Sequence, residues 1–308
     1  MANDPKTGKR VDEPTGTEFV GHEWDGIEEL NTPLPRWWLW TFYATVAWAI
    51  AYTIAYPAWP MFSQATEGVL GWSSRGQLLD EMSAADAARQ SFREQLAAID
   101  VEKLSDNPAL MQQAVSGGAA AFKVNCVQCH GSGAAGSQGY PNLNDDDWIW
   151  GGDLEAIQFT IEHGVRWEGS SESRFSLMPG FDGLFTDEQV SALAGHVLSL
   201  SGQGTSNAVG AELYEINCLA CHQADGSGDR IQGAPALNDA IWLYGSDEAD
   251  IRAQILNPSH GVMPGWKDRL DPVTIKMIAA YVHSLGGGET LPTQEVAAEP
   301  AVEGNGQP

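Results

Sequence analysis

The chain has 308 residues, 43% of them hydrophobic, which is enough for ordinary cores in about two domains of roughly 150 residues each. Lys and Arg total 16 against 41 Asp and Glu, a formal charge of −25, and this argues against nucleic-acid binding because phosphate contact needs a basic face. The acidity suits a basic protein partner and suits equally a soluble domain kept dispersed by its own charge.

Residues 1–36 are polar, punctuated by Gly and Pro, and show little helical periodicity; they are predicted to form a tail. Residues 37–56 read WWLWTFYATVAWAIAYTIAY, an uncharged run that as a helix spans about 30 Å, the thickness of a bilayer core. Trp37, Trp38 and Trp40 cluster at one end and Tyr52, Tyr56 and Trp59 at the other, the pattern of aromatic belts. A transmembrane helix is therefore predicted, ended by Pro57 and Pro60 and placed too far along the chain for a cleaved signal. Lys6, Lys9, Arg10 and Arg36 precede it and the first basic residue after it is Arg75, which puts the N-terminus in the cytoplasm and the remainder outside, periplasmic in a bacterium. Residues 57–108 read as linker: Leu78, Leu79, Met82 and Ala85 have helical spacing, and one or two connecting surface helices are expected between 73 and 115.

All four cysteines lie in two C-x-x-C-H motifs, Cys126-Val-Gln-Cys129-His130 and Cys218-Leu-Ala-Cys221-His222. Two thiols at this spacing can each add to one vinyl group of a porphyrin, and the next residue presents an imidazole to the iron, so two covalent c-type haems are predicted. A zinc half-site, a redox dithiol or a pair of structural disulfides would leave the repeated histidine unexplained.

The motifs sit in an internal duplication. Phe122 to Cys126 answers Tyr214 to Cys218; Pro141-Asn-Leu-Asn-Asp answers Pro235-Ala-Leu-Asn-Asp; Trp148 answers Trp242; Met178-Pro-Gly-Phe answers Met263-Pro-Gly-Trp. A glycine one turn before the aromatic, Gly118 or Gly210, permits close helix approach. Each repeat ends in a helix with start and stop signals: Thr186 with Gln189 as a capping box, Asp271 before Pro272, and Gly202 and Gly286 just past the ends. The two end helices of each repeat are expected to cross and close over their own haem edge. From Gly286 onward a Gly-Gly-Gly run and Glu, Pro and Ala bias predict a disordered acidic tail, taken as residues 288–308.

An electron carrier needs a sixth iron ligand, and a thioether raises the potential relative to a second imidazole. Met178 and Met263, each in Met-Pro-Gly downstream of a haem histidine, are the candidates. His163, His196, His260 and His283 are rivals, none at matching positions in the repeats; His163 and His260 fit a bis-histidine site. The Pro141 and Pro235 carbonyls are expected to accept from Nδ1 of His130 and His222. Trp148 and Trp242 are either core or propionate neighbours, and Arg166 and Arg174 are candidate propionate partners.

The order helix, C-x-x-C-H, proline loop, methionine loop, terminal helix resembles the class I cytochrome c fold. The expected fold is mainly α, one transmembrane helix followed by two tandem class I cytochrome c domains at 109–203 and 204–287. With six-coordinate irons such a chain relays electrons and has no catalytic centre; a dihaem peroxidase is the alternative. The stretch from His22-Glu-Trp-Asp-Gly-Ile to Pro35-Arg-Trp-Trp38, then Tyr56-Pro-Ala-Trp-Pro60 and two cytochrome units, resembles the dihaem subunit III of the cbb3-type cytochrome c oxidases. That resemblance implies a subunit of an oxygen-reducing, proton-pumping complex in a bacterial inner membrane. It would take electrons from cytochrome c or the bc1 complex and pass them to a monohaem subunit and the catalytic subunit. It also implies that the methionines are exchanged between the domains, Met178 serving the haem of Cys218 and Cys221 and Met263 that of Cys126 and Cys129; sequence order favours neither pairing.

Overall fold

The computed structural model of the chain describes residues 2–3 and 10–290, so most of the predicted acidic tail, and Lys6 and Lys9, lie outside the described residues. Two compact units are present, 1–88 and 89–308.

In the first unit, β1 (Ala2–Asn3) pairs with β2 (Arg10–Val11), and β3 (Phe19–Trp24) pairs antiparallel with β4 (Ile27–Leu30). The segment read as a tail with little helical periodicity thus contains a hairpin. Its turn is Asp25-Gly26, both at positive φ (50° and 83°), the Asp-Gly chemistry of a tight hairpin turn. The Arg10 guanidinium stacks 5.0 Å from the Phe19 ring centroid and pairs with Glu28.

Helix α1 (Arg36–Ala55) matches the predicted span in position and length, and none of its residues is buried. Among the described residues, however, no helix is long and apolar enough to cross a membrane. Length suffices; apolarity does not. Aromatic rings and alanines replace much of the aliphatic content, and Thr41, Thr45 and Thr53 add hydroxyls that donate back to Trp37, Phe42 and Ile50 carbonyls at 3.0, 2.7 and 2.9 Å. The chain then folds back: Val69 and Leu70 donate to the Ile54 and Ala55 carbonyls that the helix end leaves unpaired. Helix α2 (Ser74–Ala98) follows, and Leu78, Leu79 and Met82 on it are exposed.

The second unit is helical. After α2 and a 3₁₀ turn (Val101–Asp106) come α3 (Pro108–Asn125), α4 (Val127–His130), α5 (Leu154–His163), α6 (Asp187–Leu200), α7 (Ala208–Asn217), α8 (Leu219–His222), α9 (Glu248–Leu256) and α10 (Pro272–His283). The caps follow the sequence signals: Thr186 and Gln189 form a reciprocal capping box on α6, and the Asp271 side chain accepts from Val273 and Thr274 amides with Pro272 opening α10.

Packing does not follow repeat order. Helix α10 of the second repeat packs on α3 and α5 of the first, whereas α6 of the first repeat packs on α7 and α9 of the second. The glycines report it directly: a Cβ on Gly118 would collide with the Met277 carbonyl of α10, and one on Gly210 with the Ala192 carbonyl of α6. The expectation that each repeat closes over itself is corrected here, because the helix that complements each glycine comes from the other repeat. One core gathers Phe122, Ile157, Ile161, Ile275 and Ile278; another gathers Val190, Leu193, Val197, Tyr214, Ile251 and Ile255.

Two further expectations change. The segment read as linker supplies Leu96 and Leu104, both 0% exposed, to a third core with Leu110, Leu154 and Met277. Lys276 of α10 reaches into it and donates to the Leu96 and Ile99 carbonyls at 2.9 and 2.5 Å, placing a cation at the C-terminal end of α2. At the other end, the start of the predicted disordered tail is a fixed strap. Gly287 accepts from Trp148 Nε1 at 2.6 Å, Glu289 exchanges hydrogen bonds with Gly152, and Arg230 pairs with the Glu289 carboxylate. A Cβ on Gly287 or Gly288 would meet the Asp145 or His283 carbonyl, so the glycine run is a close approach of backbones.

Candidate haem sites

Each C-x-x-C-H is one helical turn. Cys126 caps α3, and the His130 amide donates to the Cys126 carbonyl at 2.9 Å; Cys218 caps α7, and His222 donates to Cys218 at 2.9 Å. Cysteine and histidine are thereby held by the helix that also supplies the buried aromatic, Phe122 or Tyr214. Next, Gly136 donates to the His130 carbonyl and Gly228 to the His222 carbonyl, each glycine at positive φ against the backbone of the proline it precedes.

His130 Nδ1 lies 3.2 Å from the Pro141 carbonyl and His222 Nδ1 3.0 Å from the Pro235 carbonyl. A carbonyl can only accept, so Nδ1 carries the proton and Nε2 keeps its lone pair for a metal. Burial lowers both histidine pKa values against the pull of the proline carbonyl, which keeps the rings neutral. Burial, with the neighbouring thiol second, pushes Cys126 and Cys218 up to about 11.

The methionine loops dock crosswise. Phe181 of Met178-Pro-Gly-Phe donates to the Ile255 carbonyl at 3.1 Å, at the end of α9; Trp266 of Met263-Pro-Gly-Trp donates to the Ile161 carbonyl at 2.9 Å, at the end of α5. Gly180 and Gly265 sit where a Cβ would press on Leu256 and Glu162 carbonyls. Met263 is further pinned by reciprocal backbone bonds with Val165 at 2.9 and 3.0 Å. As a result Met263 packs with Cys126 and Trp148 against the Phe122 core, and Met178 with Cys218 and Trp242 against the Tyr214 core. A cavity of about 1530 Å³, counting its open mouth, is lined by Cys218, Cys221, His222 and Met178.

The rival histidines are placed as follows. His163 is buried, 3.2 Å from the Ser170 hydroxyl and 4.5 Å from the Phe159 ring. His196 lies 2.7 Å from the Ser206 hydroxyl, and His283 Nε2 is 2.8 Å from the Glu289 carbonyl. His260 lines the same cavity as Met178. Arg174 donates to Thr160 and Ala156 on α5 and stacks on Phe159 and Trp150. Arg166 lines the cavity, with Nε spent on the Gly261 carbonyl and one terminal nitrogen on Ser176.

A haem fits these residues on one independent sign. Trp242 Nε1 is buried in the cavity wall with no hydrogen-bond partner among the described residues, whereas its counterpart Trp148 has Gly287. Such an orphaned donor calls for an acceptor that the bound group would bring, and a propionate is one. The thiol pair, the imidazole with free Nε2 and the thioether are the donor set of a c-type haem.

Comparison with known proteins agrees. The family model for the N-terminal domain of cytochrome oxidase-cbb3, FixP, matches residues 16–63, and that for cytochrome c oxidase, cbb3-type, subunit III, matches 113–197 and again 205–282. The chain belongs to the cbb3-type cytochrome c oxidase subunit III family. It is 54% identical over 284 residues to the cbb3-type cytochrome c oxidase subunit FixP of Sinorhizobium medicae, covering 91% of this chain and 98% of that one. The FixP of Rhizobium meliloti is 53% identical over the same 91% and 98%. The subunit CcoP of Cereibacter sphaeroides is 49% identical over 294 residues, 94% of this chain and all of that one. A FixP/CcoP chain is an electron-transfer subunit of an oxidoreductase complex with covalent haem c, and the duplicated match coincides with the duplicated motifs. The hairpin was the segment that periodicity missed; its Asp-Gly between Trp24 and Ile27 was the available signal, and it falls inside the FixP match.

Proposed function

We propose that the chain carries two covalent haems and passes electrons singly between them. It would draw them from a donor cytochrome c or bc1 complex and deliver them to the monohaem and catalytic subunits of a proton-pumping oxidase. The crosswise docking of the two Met-Pro-Gly loops carries this reading, because it brings one thioether to each C-x-x-C-H motif. Cys126 and Cys129, and Cys218 and Cys221, would attach the haems through thioether bonds, while His130 with Met263, and His222 with Met178, would hold the irons. A haem held in this way supplies reversible one-electron exchange at iron. The protein's part is to hold each imidazole at Nδ1 through a proline carbonyl, to hold each sulfur by a loop tied to the other repeat, and to keep water from both faces with the aliphatic cores.

The same reading places α1 at the membrane, with the N-terminus cytoplasmic and the haem sites periplasmic. It is supported by the helix's exposure on all sides and its freedom from charge after Arg36. Its modest apolarity suits a helix seated among other subunits' helices in a bacterial inner membrane.

Carbon monoxide decides between relay and peroxidase. The isolated, reduced holoprotein is expected not to bind it rapidly, and a near-infrared sulfur-to-iron band should appear on oxidation. Rapid, substantial binding would overturn six-coordination and favour a dihaem peroxidase with one open iron.

A further inference from the structure

Asp147 stands between two cavities. It lines the one that holds Cys218, Cys221 and His222, and it lines a smaller polar one of about 620 Å³, counting open solvent, with Asp146, Ser227, Arg230 and Asp239. Asp147 belongs to the first repeat's loop, so that loop reaches across to the second repeat's haem site. The charged groups around it come from three segments. Asp145 and Asp146 are on its own loop, Asp239 and Arg230 are on the second repeat's loop, and Glu289 on the C-terminal strap occupies Arg230 through both terminal nitrogens. Three carboxyl groups therefore repel an ionised Asp147, while the facing cation is already shared. Burial first, and Asp239 next, push the Asp147 carboxyl up to about 6.

We propose that Asp147 is a redox-linked proton-binding site, taking up one proton through the small polar cavity when the haem at Cys218 and Cys221 gains an electron and releasing it when that electron leaves. This rests on the reading that a haem is bound there. The balance is one electron from the donor cytochrome, which is oxidised as the iron goes from ferric to ferrous, and one proton from solvent, which forms an O–H bond on the Asp147 carboxylate; both leave on reoxidation. The direction follows from charge. An added electron makes the region more negative and favours the neutral carboxyl, and by reciprocity a neutral carboxyl favours the reduced iron. Asp147 thereby lets the second station change redox state without leaving an added charge in a half-buried, already acidic interior.

The test is a spectroelectrochemical titration of the full-length holoprotein at pH values on either side of 6, with proton uptake on reduction followed by an indicator dye in weak buffer. One haem's midpoint is expected to fall as pH rises through that window. Asp147→Asn should flatten the dependence for that haem and leave the other unchanged, and Asp147→Glu should keep it. A pH dependence undiminished in Asp147→Asn would overturn the proposal and assign the proton to a propionate or to Asp145 or Asp239; a flat profile in the unmodified protein would overturn it too. Haem content, measured by mass and by alkaline pyridine absorbance, must stay at two in every variant. A single haem in the unmodified protein would instead sink the reading on which the proposal rests.

Discussion

At the residue scale, the two sites differ in how their polar atoms are satisfied. Trp148 donates within the protein, whereas Trp242 presents to its cavity an indole with no partner among the described residues. The methionines are the sharper contrast, since each lies with the other repeat's cysteines. In a variant lacking Cys126 and Cys129 attachment, Met178→Leu is expected to lower the remaining midpoint by on the order of 0.1 V, a fraction of the roughly 0.8 V that axial ligands command, while Met263→Leu leaves it in place. Redox titration of the two combined variants checks this, and the opposite pattern would restore pairing within each repeat. Asp147 also bears on stability. Its pKa is raised from 3.8 in the unfolded chain to about 6, so the folded state binds the extra proton and loses stability as pH rises through that interval. Asp147→Asn should therefore melt higher than the unmodified protein near neutral pH, with the difference closing below about pH 4.

At the element scale, the α3–α10 and α6–α7 crossings depend on glycine. Each places a helix backbone where a Cβ would stand, and each sets a ring over the crossing. Phe122 lies 5.3 Å from Tyr281, and Tyr214 lies 4.9 Å from His196. Gly118→Ala or Gly210→Ala should cost about 1–3 kcal/mol through forced separation of the helices, read from denaturant midpoints. Ile278 is the complementary case: it sits in the second repeat yet is 1% exposed in the core around the first candidate haem site. Ile278→Ala should lose about 2–4 kcal/mol and loosen the Cys126 haem spectrum before the Cys218 one; loosening at Cys218 first would contradict crosswise closure. Caps were legible in the sequence because their hydrogen bonds are local: Thr186 with Gln189, and Asp271 with the Val273 and Thr274 amides just after Pro272. The α2 end was not legible, because the value of Leu96 and Leu104 lies in meeting Met277 far along the chain.

At the scale of the whole molecule, exchange of the terminal helices binds the repeats into one folding unit. A chain ending after residue 203 would keep Cys126, His130 and α5 but lack the α10 face over Phe122 and Ile161. It is expected to be degraded by a protease at concentrations the full chain resists. The charge of −25 acts at longer range: reduction by a basic donor cytochrome should slow steeply with added salt, checked by stopped-flow rates.

Composition, spacing and duplication by themselves determined two C-x-x-C-H sites, helices around them, the proline carbonyls behind the histidines and the pair of Met-Pro-Gly loops. These are properties of contiguous residues and recur in each copy. Tertiary structure alone decided which copy completes which site. The two repeats carry nearly interchangeable complementary surfaces, a glycine-faced helix and a helix that fits it, so local pattern is satisfied by either pairing. The choice lies in contacts between residues about a hundred positions apart or more, where Met263 is pinned to Val165 and α10 lies on α3.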